Sequence, residues 1–361
     1  MTARKAYLEW MRVIAIFLVI FNHLPGYTLF TAASGPAQGA LMFLSMLTRI
    51  NIPLFLMISG AVLLPRQEDY RTVLRRRVSR MAAVIVLFTL AIYAAHAFYY
   101  IRVKGQPFDF SFRSYIYGLL TTRVYGADSY WFLYLYLNYL LMLPFLQRCA
   151  KGMGRQDFGA LLILRALLRT VLPVLNLAFG KIGLPNLSAN WYLTLPLALG
   201  DAFFYPLIGY YLDSCVDIAR LSRAKTALLA LAGAACLGVS CLCTYLRAGQ
   251  TGSVSEDYVQ LLDYAAAMAA FLLIKRLTTV TLPRLCQGRP ARWVCGLGAL
   301  TFGIYLLDPF LKLLVWGPFN RLASSFLPVL PVSLLWCLLS MAAGGAITWV
   351  LRRIPGLRRL L

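Results

Sequence analysis

Acidic side chains are scarce in this sequence. The 361 residues include only 13 Asp and Glu against 35 Lys and Arg, and charged residues together make up 13% of the chain. Soluble globular domains carry about 25% charged residues, so the shortage excludes an ordinary soluble fold. The chain is instead 60% hydrophobic, with a mean hydropathy of +0.71. This composition predicts an all-α fold, a helix bundle that crosses a membrane many times.

Histidine is rarer still, and metal-binding patterns are missing. The chain contains only two histidines, His23 and His96. Its eight cysteines show neither a CxxC pair nor a Cys/His spacing typical of a zinc site. We therefore expect no metal, and we expect the cysteines to serve as small buried side chains rather than as a structural disulfide network.

Long polar stretches are also lacking. Apolar segments of the length that spans a bilayer as a helix recur along the whole chain, and no connection between them exceeds about thirty residues. The pattern predicts a single domain over residues 1–361. Because no small-residue cleavage site follows the first segment, we expect that segment to be retained. The ten predicted spans are 7–24, 41–64, 81–101, 130–147, 158–178, 191–212, 226–246, 257–274, 293–316 and 326–351.

The net charge of +22 could suggest a nucleic-acid partner, but the basic residues stand in short runs between apolar spans. The amino terminus, the even-numbered loops and the tail carry 23 Lys and Arg, whereas the odd-numbered loops carry 7. Because basic loops stay in the cytoplasm, both termini are predicted to be cytoplasmic. We expect membrane lipids and no nucleic acid as partners.

The first span, "LEWMRVIAIFLVIFNHLPG" (residues 8–26), contains two costly side chains. Arg12 and His23 are eleven residues apart, which places them on nearly the same helix face and about 16 Å apart along the axis. Arg12 lies toward the cytoplasm and His23 toward the outer side. A structural alternative exists for each: Arg12 can pair with Glu9 at i, i+3 or reach lipid headgroups, and His23 can be an interfacial residue.

Other polar residues within spans have two interpretations. His96 favours a packing role. Asp308 lies four residues before Lys312, so an intrahelical ion pair competes with a catalytic role. The sequence does not decide whether Arg165, Arg169 and Asp201 pair across helices.

The second span and the loop after it also allow both a structural and a functional interpretation. Ser59 and Gly60 are small residues that suit close helix packing. The loop carries Arg75, Arg76, Arg77 and Arg80 within six positions, which is typical of a positive-inside anchor. Guanidinium groups also bind phosphate oxygens bidentately, so the same run suits a phosphorylated ligand.

The order of these motifs resembles the acyltransferase-3 family of integral membrane O-acyltransferases. A Leu-acid-x-x-Arg start and an Arg-x10-His spacing match at Arg12 and His23, and a Phe-x-x-x-Ser-Gly segment matches at Ser59. An Arg-x-x-Arg pair matches at Arg77 and Arg80. "YWFLYLYLNYLLMLP" (130–144) is similar to the family's Trp-Phe-Leu span, and "FGIYLLDP" (302–309) to a segment that often ends in His. Asp308 stands at that position here.

The resemblance implies a ten-helix O-acyltransferase that moves an acyl group, acetyl in the first instance, from cytoplasmic acyl-coenzyme A to a hydroxyl of an extracytoplasmic or membrane-linked glycan. The donor would be bound by Arg12, Arg77, Arg80 and Ser59. The length of its pantetheine arm is of the order of the distance between Arg12 and His23 along the helix axis. His23 and Asp308 are the catalytic candidates. His23 would be the general base, because imidazole is the side chain that titrates near neutral pH. Direct transfer and an acyl-histidine intermediate both fit.

Two other function classes stay open. A transporter or flippase of an envelope glycan or lipid-linked precursor also needs many helices and buried charges, although it favours inverted repeats and broken helices. A sensor or recruitment module is the third class. The resemblance places the chain in a bacterial plasma membrane as a multi-pass protein. The acceptor, the acyl chain and the oligomeric state are left open.

Overall fold

The computed structural model describes residues 5–24, 36–187, 195–251, 256–325 and 328–361, and all regular structure within these ranges is helical. Several of the helices are extended by single π-helical turns. The principal helices, numbered in chain order, are α1 (Ala6–His23), α2 (Pro36–Thr48), α3 (Asn51–Leu63), α4 (Ser79–Phe98), α5 (Phe112–Thr121), α6 (Trp131–Gly152), α7 (Arg155–Ala166), α8 (Leu172–Lys181), α9 (Asp201–Ser214), α10 (Arg223–Thr251), α11 (Asp263–Arg276), α12 (Gly288–Leu311), α13 (Gly317–Ala323), α14 (Val329–Leu351) and α15 (Pro355–Leu360).

Within the described ranges, nine helical stretches are long and apolar enough to cross a membrane. They are Ala6–His23, Met42–Leu63, Tyr70–Val103, Asp128–Gly152, Arg155–Lys181, Arg223–Gln250, Asp263–Thr281, Gly288–Ala323 and Val329–Leu351. The all-helical membrane fold is thus confirmed. The cytoplasmic placement of both termini stays a prediction.

The predicted sixth span, 191–212, accounts for the difference between ten and nine. Residues 191–194 lie outside the described residues, and the remainder is divided between a four-residue helix, Pro196–Leu199, and the 14-residue α9. At about 1.5 Å per residue, α9 is about 21 Å long, which is shorter than the roughly 30 Å hydrocarbon core of a bilayer. This predicted span is therefore not one continuous helix, because the helical structure is interrupted at Gly200.

The chain divides into two compact units, each made of two separate segments. Unit 1 comprises the described residues of Met1–Gln67 and Phe145–Gly298. Unit 2 comprises those of Glu68–Pro144 and Ala299–Leu361. The single domain over residues 1–361 stays a prediction.

In unit 1, α3 and α9 pack with their backbones in contact. A Cβ atom built on Gly60 would overlap the backbone of Pro206, and one built on Gly209 would overlap the backbone of Met57. Both glycines are therefore needed for the close approach of these two helices, because any larger residue would push the backbones apart. Small residues commonly serve this purpose between membrane helices, and the packing interpretation of Gly60 is confirmed.

A buried charge joins three segments of unit 1. Arg165, 2% exposed, donates to the Leu199 carbonyl oxygen at 3.0 Å and to the Asp201 carboxylate at 2.8 Å. It also donates to the Tyr205 hydroxyl, which in turn donates to Asp263 at 3.1 Å. A buried charge is tolerated only when it is paired and hydrogen-bonded. The guanidinium satisfies carbonyl groups that the break before α9 leaves open, so Arg165 and Asp201 do pair across helices.

All eight cysteines lie in the described ranges, and each is a free thiol. In unit 2, His96 belongs to α4, and its Nδ1 lies 3.0 Å from the Ile92 carbonyl oxygen. Its ring centroid is 5.4 Å from that of Tyr125, edge to face. This geometry agrees with a packing role for His96.

Candidate functional site

Helix α1 carries Arg12 and His23 on one uninterrupted helix. Its first turn is held by Asp213, which accepts from the Tyr7 hydroxyl and pairs with the Lys5 ammonium at 2.6 Å. The helix ends at His23 because Leu24 is extended (φ −72°, ψ 159°), as expected for a residue that precedes a proline. The structure thus preserves the spacing of about 16 Å along the axis that the sequence predicts.

Near the start of α1, Arg12 pairs with Glu9 at 2.6 Å, so the i, i+3 interpretation of this pair is confirmed. Glu9 is 2% exposed and lies directly against Gly298, where any Cβ would overlap its carboxylate. The Arg12 side chain is 25% exposed. Its Nη1 bonds to Glu9, and within the described ranges most of the five guanidinium N–H donors have no other hydrogen-bond partner. The pairing holds Arg12 in position without using up its donors.

At the other end of α1, His23 is partly buried beside a break in the next span. Helix α2 ends at Thr48 and α3 begins at Asn51. The Thr48 hydroxyl donates to the Ser45 carbonyl oxygen at 2.7 Å and lies 3.4 Å from the Asn22 side-chain oxygen. This contact fixes the break at the level of Asn22 and His23. The predicted span of 41–64 runs across the break, although the polar residues Thr48, Arg49 and Asn51 mark it in the sequence.

Ser59 is the third candidate in unit 1. Its hydroxyl donates to the Phe55 carbonyl oxygen, one turn earlier in α3, at 2.9 Å. That bond is common for serine inside membrane helices, and it leaves the lone pairs of the hydroxyl able to accept.

In unit 2, Arg77 is held by a carboxylate. Asp69 caps the helical stretch that carries Arg77: its carboxylate accepts from the Thr72 backbone N–H at 3.0 Å. This hydrogen bond keeps the pKa of the Asp69 carboxyl below its usual range. Glu68, next to Asp69, accepts from Arg77 Nε at 2.7 Å and from Nη2 at 2.6 Å. The bidentate pair fixes the guanidinium plane.

Arg80, one turn further on, is held differently. Its Nε and Nη2 atoms both donate to the Leu360 carbonyl oxygen, at 3.2 and 2.9 Å. The partner is 280 residues away in sequence, so no local pattern could have identified it. Arg77 and Arg80 therefore each use the same edge of the guanidinium for an internal acceptor.

Three further side chains interact electrostatically with these two arginines, and we define the arginine site as Arg77, Arg80, Arg352, Tyr136 and Tyr139. The charges of Arg77 and Arg352 repel that of Arg80, and both tyrosines lie within electrostatic range of Arg77. Tyr139 is fully buried, and its hydroxyl has no hydrogen-bond partner within the described ranges. An unsatisfied buried hydroxyl costs about 1–3 kcal/mol. Sequence reasoning missed Arg352 and both tyrosines.

Asp308 lies in the core of unit 2. It is 1% exposed and accepts from the Ser340 hydroxyl at 3.2 Å. The phenol of Tyr130 is close enough to interact with it electrostatically, although its hydroxyl donates to the Leu306 carbonyl oxygen. The ion pair with Lys312 and the catalytic role of Asp308 both stay predictions.

The six predicted site residues divide evenly between the two units. Unit 1 contains Arg12, His23 and Ser59. Unit 2 contains Arg77, Arg80 and Asp308. Within unit 2, the two motif arginines are brought together in the arginine site.

Comparison with known proteins gives one family. A family model described as an acyltransferase domain matches residues 5–349, nearly the whole chain. No curated protein and no solved structure matches the chain.

Proposed function

Since this chain belongs to the acyltransferase-3 family and is therefore a membrane acyltransferase, we propose that it transfers an acyl group from cytoplasmic acyl-coenzyme A to a hydroxyl. The acyl group is acetyl in the first instance. The acceptor is an extracytoplasmic or membrane-linked glycan, and the membrane is the bacterial plasma membrane.

The arginine site supports the donor assignment. Arg80 and Arg352 have no carboxylate partner within the described part of unit 2, so the site has a positive charge that a polyanion would neutralise. Coenzyme A carries phosphates at its nucleotide end, and guanidinium groups match phosphate oxygens. Arg12 supplies a similar charge in unit 1.

His23 supports the chemical step. As general base, the imidazole takes the proton of the acceptor hydroxyl while its oxygen attacks the thioester carbonyl. The carbon–sulfur bond then breaks, the acyl group stays on the acceptor oxygen, and the coenzyme A thiolate leaves and gains a proton. If the imidazole itself attacks first, an acyl-histidine forms and the acceptor displaces it in a second step. Asp308 stays a catalytic candidate.

One observation carries the proposal: the family match spans residues 5–349 and includes both His23 and the Arg-x-x-Arg pair. The test is to incubate the purified protein with labelled acetyl- or succinyl-coenzyme A and an envelope glycan fraction. Label should appear in the glycan and should depend on His23. Absence of label from the glycan with either donor would contradict the proposal.

A second candidate is transport or flipping of an envelope glycan or lipid-linked precursor. The specific observation in its favour is the broken helix in unit 1. The helical structure is interrupted just before α9, and the buried Arg165–Asp201 pair lies at this break. Broken helices of this kind mark binding sites in transporters. If vesicles that contain the protein moved the glycan across their membrane without any acyl donor, the result would favour this function over acyl transfer.

A further inference from the structure

We infer that the C-terminal segment, residues 352–361, supplies two groups to the donor site: the Leu360 main-chain carbonyl orients Arg80, and the Arg352 guanidinium contacts the donor phosphates. This inference rests on the proposed function. The family match ends at residue 349, so the segment lies outside the matched residues.

The segment is anchored by its apolar side. Leu357 and Leu360 of α15 and the following Leu361 lie at i, i+3 and i+4, which places them on one side of the segment. Leu361 is buried, whereas Arg358 and Arg359 are exposed. Helix α15 packs against α4, the helix that carries Arg80. Apolar burial thus holds the end of the chain beside the motif arginine.

The contact orients Arg80 without blocking it. Two of its N–H groups donate to the Leu360 carbonyl oxygen. A guanidinium has five N–H donors, so three remain, and none of these has a partner within the described ranges. Arg77 shows the same arrangement with Glu68. Both guanidiniums are therefore fixed along one edge, and each presents its remaining donors to a ligand.

Arg352 adds charge at the same place. Its Nη1 donates to the Ala299 carbonyl oxygen at 3.2 Å, and its charge lies within electrostatic range of Arg80. Like charges in proximity repel one another and are stabilised by a bound polyanion. The matching ligand is a compound with several phosphates, such as the nucleotide end of coenzyme A. Arg353, the next residue, stacks instead on Trp349 at 3.7 Å.

Two variants test the inference by separate routes. Arg352→Gln removes the charge, and a chain ending at Ile354 removes the Leu360 carbonyl while leaving Arg352 in place. Arg353→Gln is the matched control, because it removes the same charge one residue away. The probes are coenzyme A and S-acetylpantetheine, which lacks the nucleotide phosphates. Binding is measured in lipid nanodiscs of phosphatidylcholine, and again with phosphatidylglycerol added.

We expect both test variants to raise the Kd for coenzyme A about tenfold or more, as for loss of a charge-assisted contact. The Kd for S-acetylpantetheine and all values for Arg353→Gln should stay unchanged. Equal weakening of both probes would mean a structural effect and would overturn the inference. So would an unchanged or tighter coenzyme A Kd, or a change seen only with phosphatidylglycerol, which would indicate a lipid anchor. A wild-type protein that does not bind coenzyme A would instead refute the proposed function itself.

Discussion

Replacing His23 by alanine is expected to stop transfer while leaving the fold and the donor affinity intact. His23 is the last residue of α1 and is only partly buried, so the substitution creates no large cavity. Removing a partly buried side chain at a helix end is expected to cost about 1 kcal/mol of stability, the usual size for a point substitution. Arg12 lies about 16 Å away along the helix axis, so its contact with the donor should not change.

The expected loss of rate follows from the role of a general base. Positioned proton transfer contributes about 10²–10⁴-fold, which corresponds to about 2.7–5.4 kcal/mol of activation free energy. That is several times the expected loss of stability. A fall in kcat of this size in a protein with a nearly normal Tm therefore cannot be explained by unfolding.

The assay compares His23→Ala with His96→Ala, which removes the only other imidazole. His96 bonds to the Ile92 carbonyl oxygen and packs on Tyr125, so its loss should lower Tm more than the loss of His23. Labelled acetyl transfer to glycan gives kcat, and coenzyme A titration gives the Kd. Transfer at nearly the wild-type rate by His23→Ala would refute the base assignment. Loss of transfer in both variants with normal donor binding would require a relay or packing role for His96.

The remaining predictions concern donor binding, topology and packing. Arg12→Ala and Arg80→Ala should each weaken coenzyme A binding ten- to a hundredfold, since each removes a charge-assisted contact of about 1.5–3 kcal/mol. Added salt should weaken wild-type binding. Unchanged affinity in both variants would leave these arginines as topology anchors. Reporter fusions after Gln67 and at Leu361 should both give a cytoplasmic signal, and an outer signal from either would contradict donor entry from the cytoplasm. Gly60→Leu should lower Tm sharply in a thermal melt, because its side chain has no space against the backbone of α9; a normal Tm would disprove the close approach.

The sequence predicts the parts of this structure that depend on local pattern. Apolar length locates the spans, and the i, i+3 spacing gives the Glu9–Arg12 pair. Contacts between distant segments are a different matter. The Arg80–Leu360 bond and the Arg165–Asp201 pair join residues 280 and 36 positions apart, and no periodicity encodes such partners. The break at the end of α2 does leave a local signal, since Thr48, Arg49 and Asn51 interrupt the apolar run there, but the predicted span of 41–64 runs across it.

The structure also separates two kinds of arginine that composition treats alike. Arg75 and Arg76 are exposed, and their side chains make no hydrogen bond within the described ranges, as expected of positive-inside anchors. Arg77 and Arg80, on the same helical stretch, are each fixed by an internal acceptor. Fixing a long side chain costs about 1.5–2 kcal/mol of rotamer entropy. Here that cost is met on folding rather than on binding, so a ligand gains more from each contact. An arginine that is held while its charge stays accessible is therefore a better candidate for ligand binding than a freely solvated one.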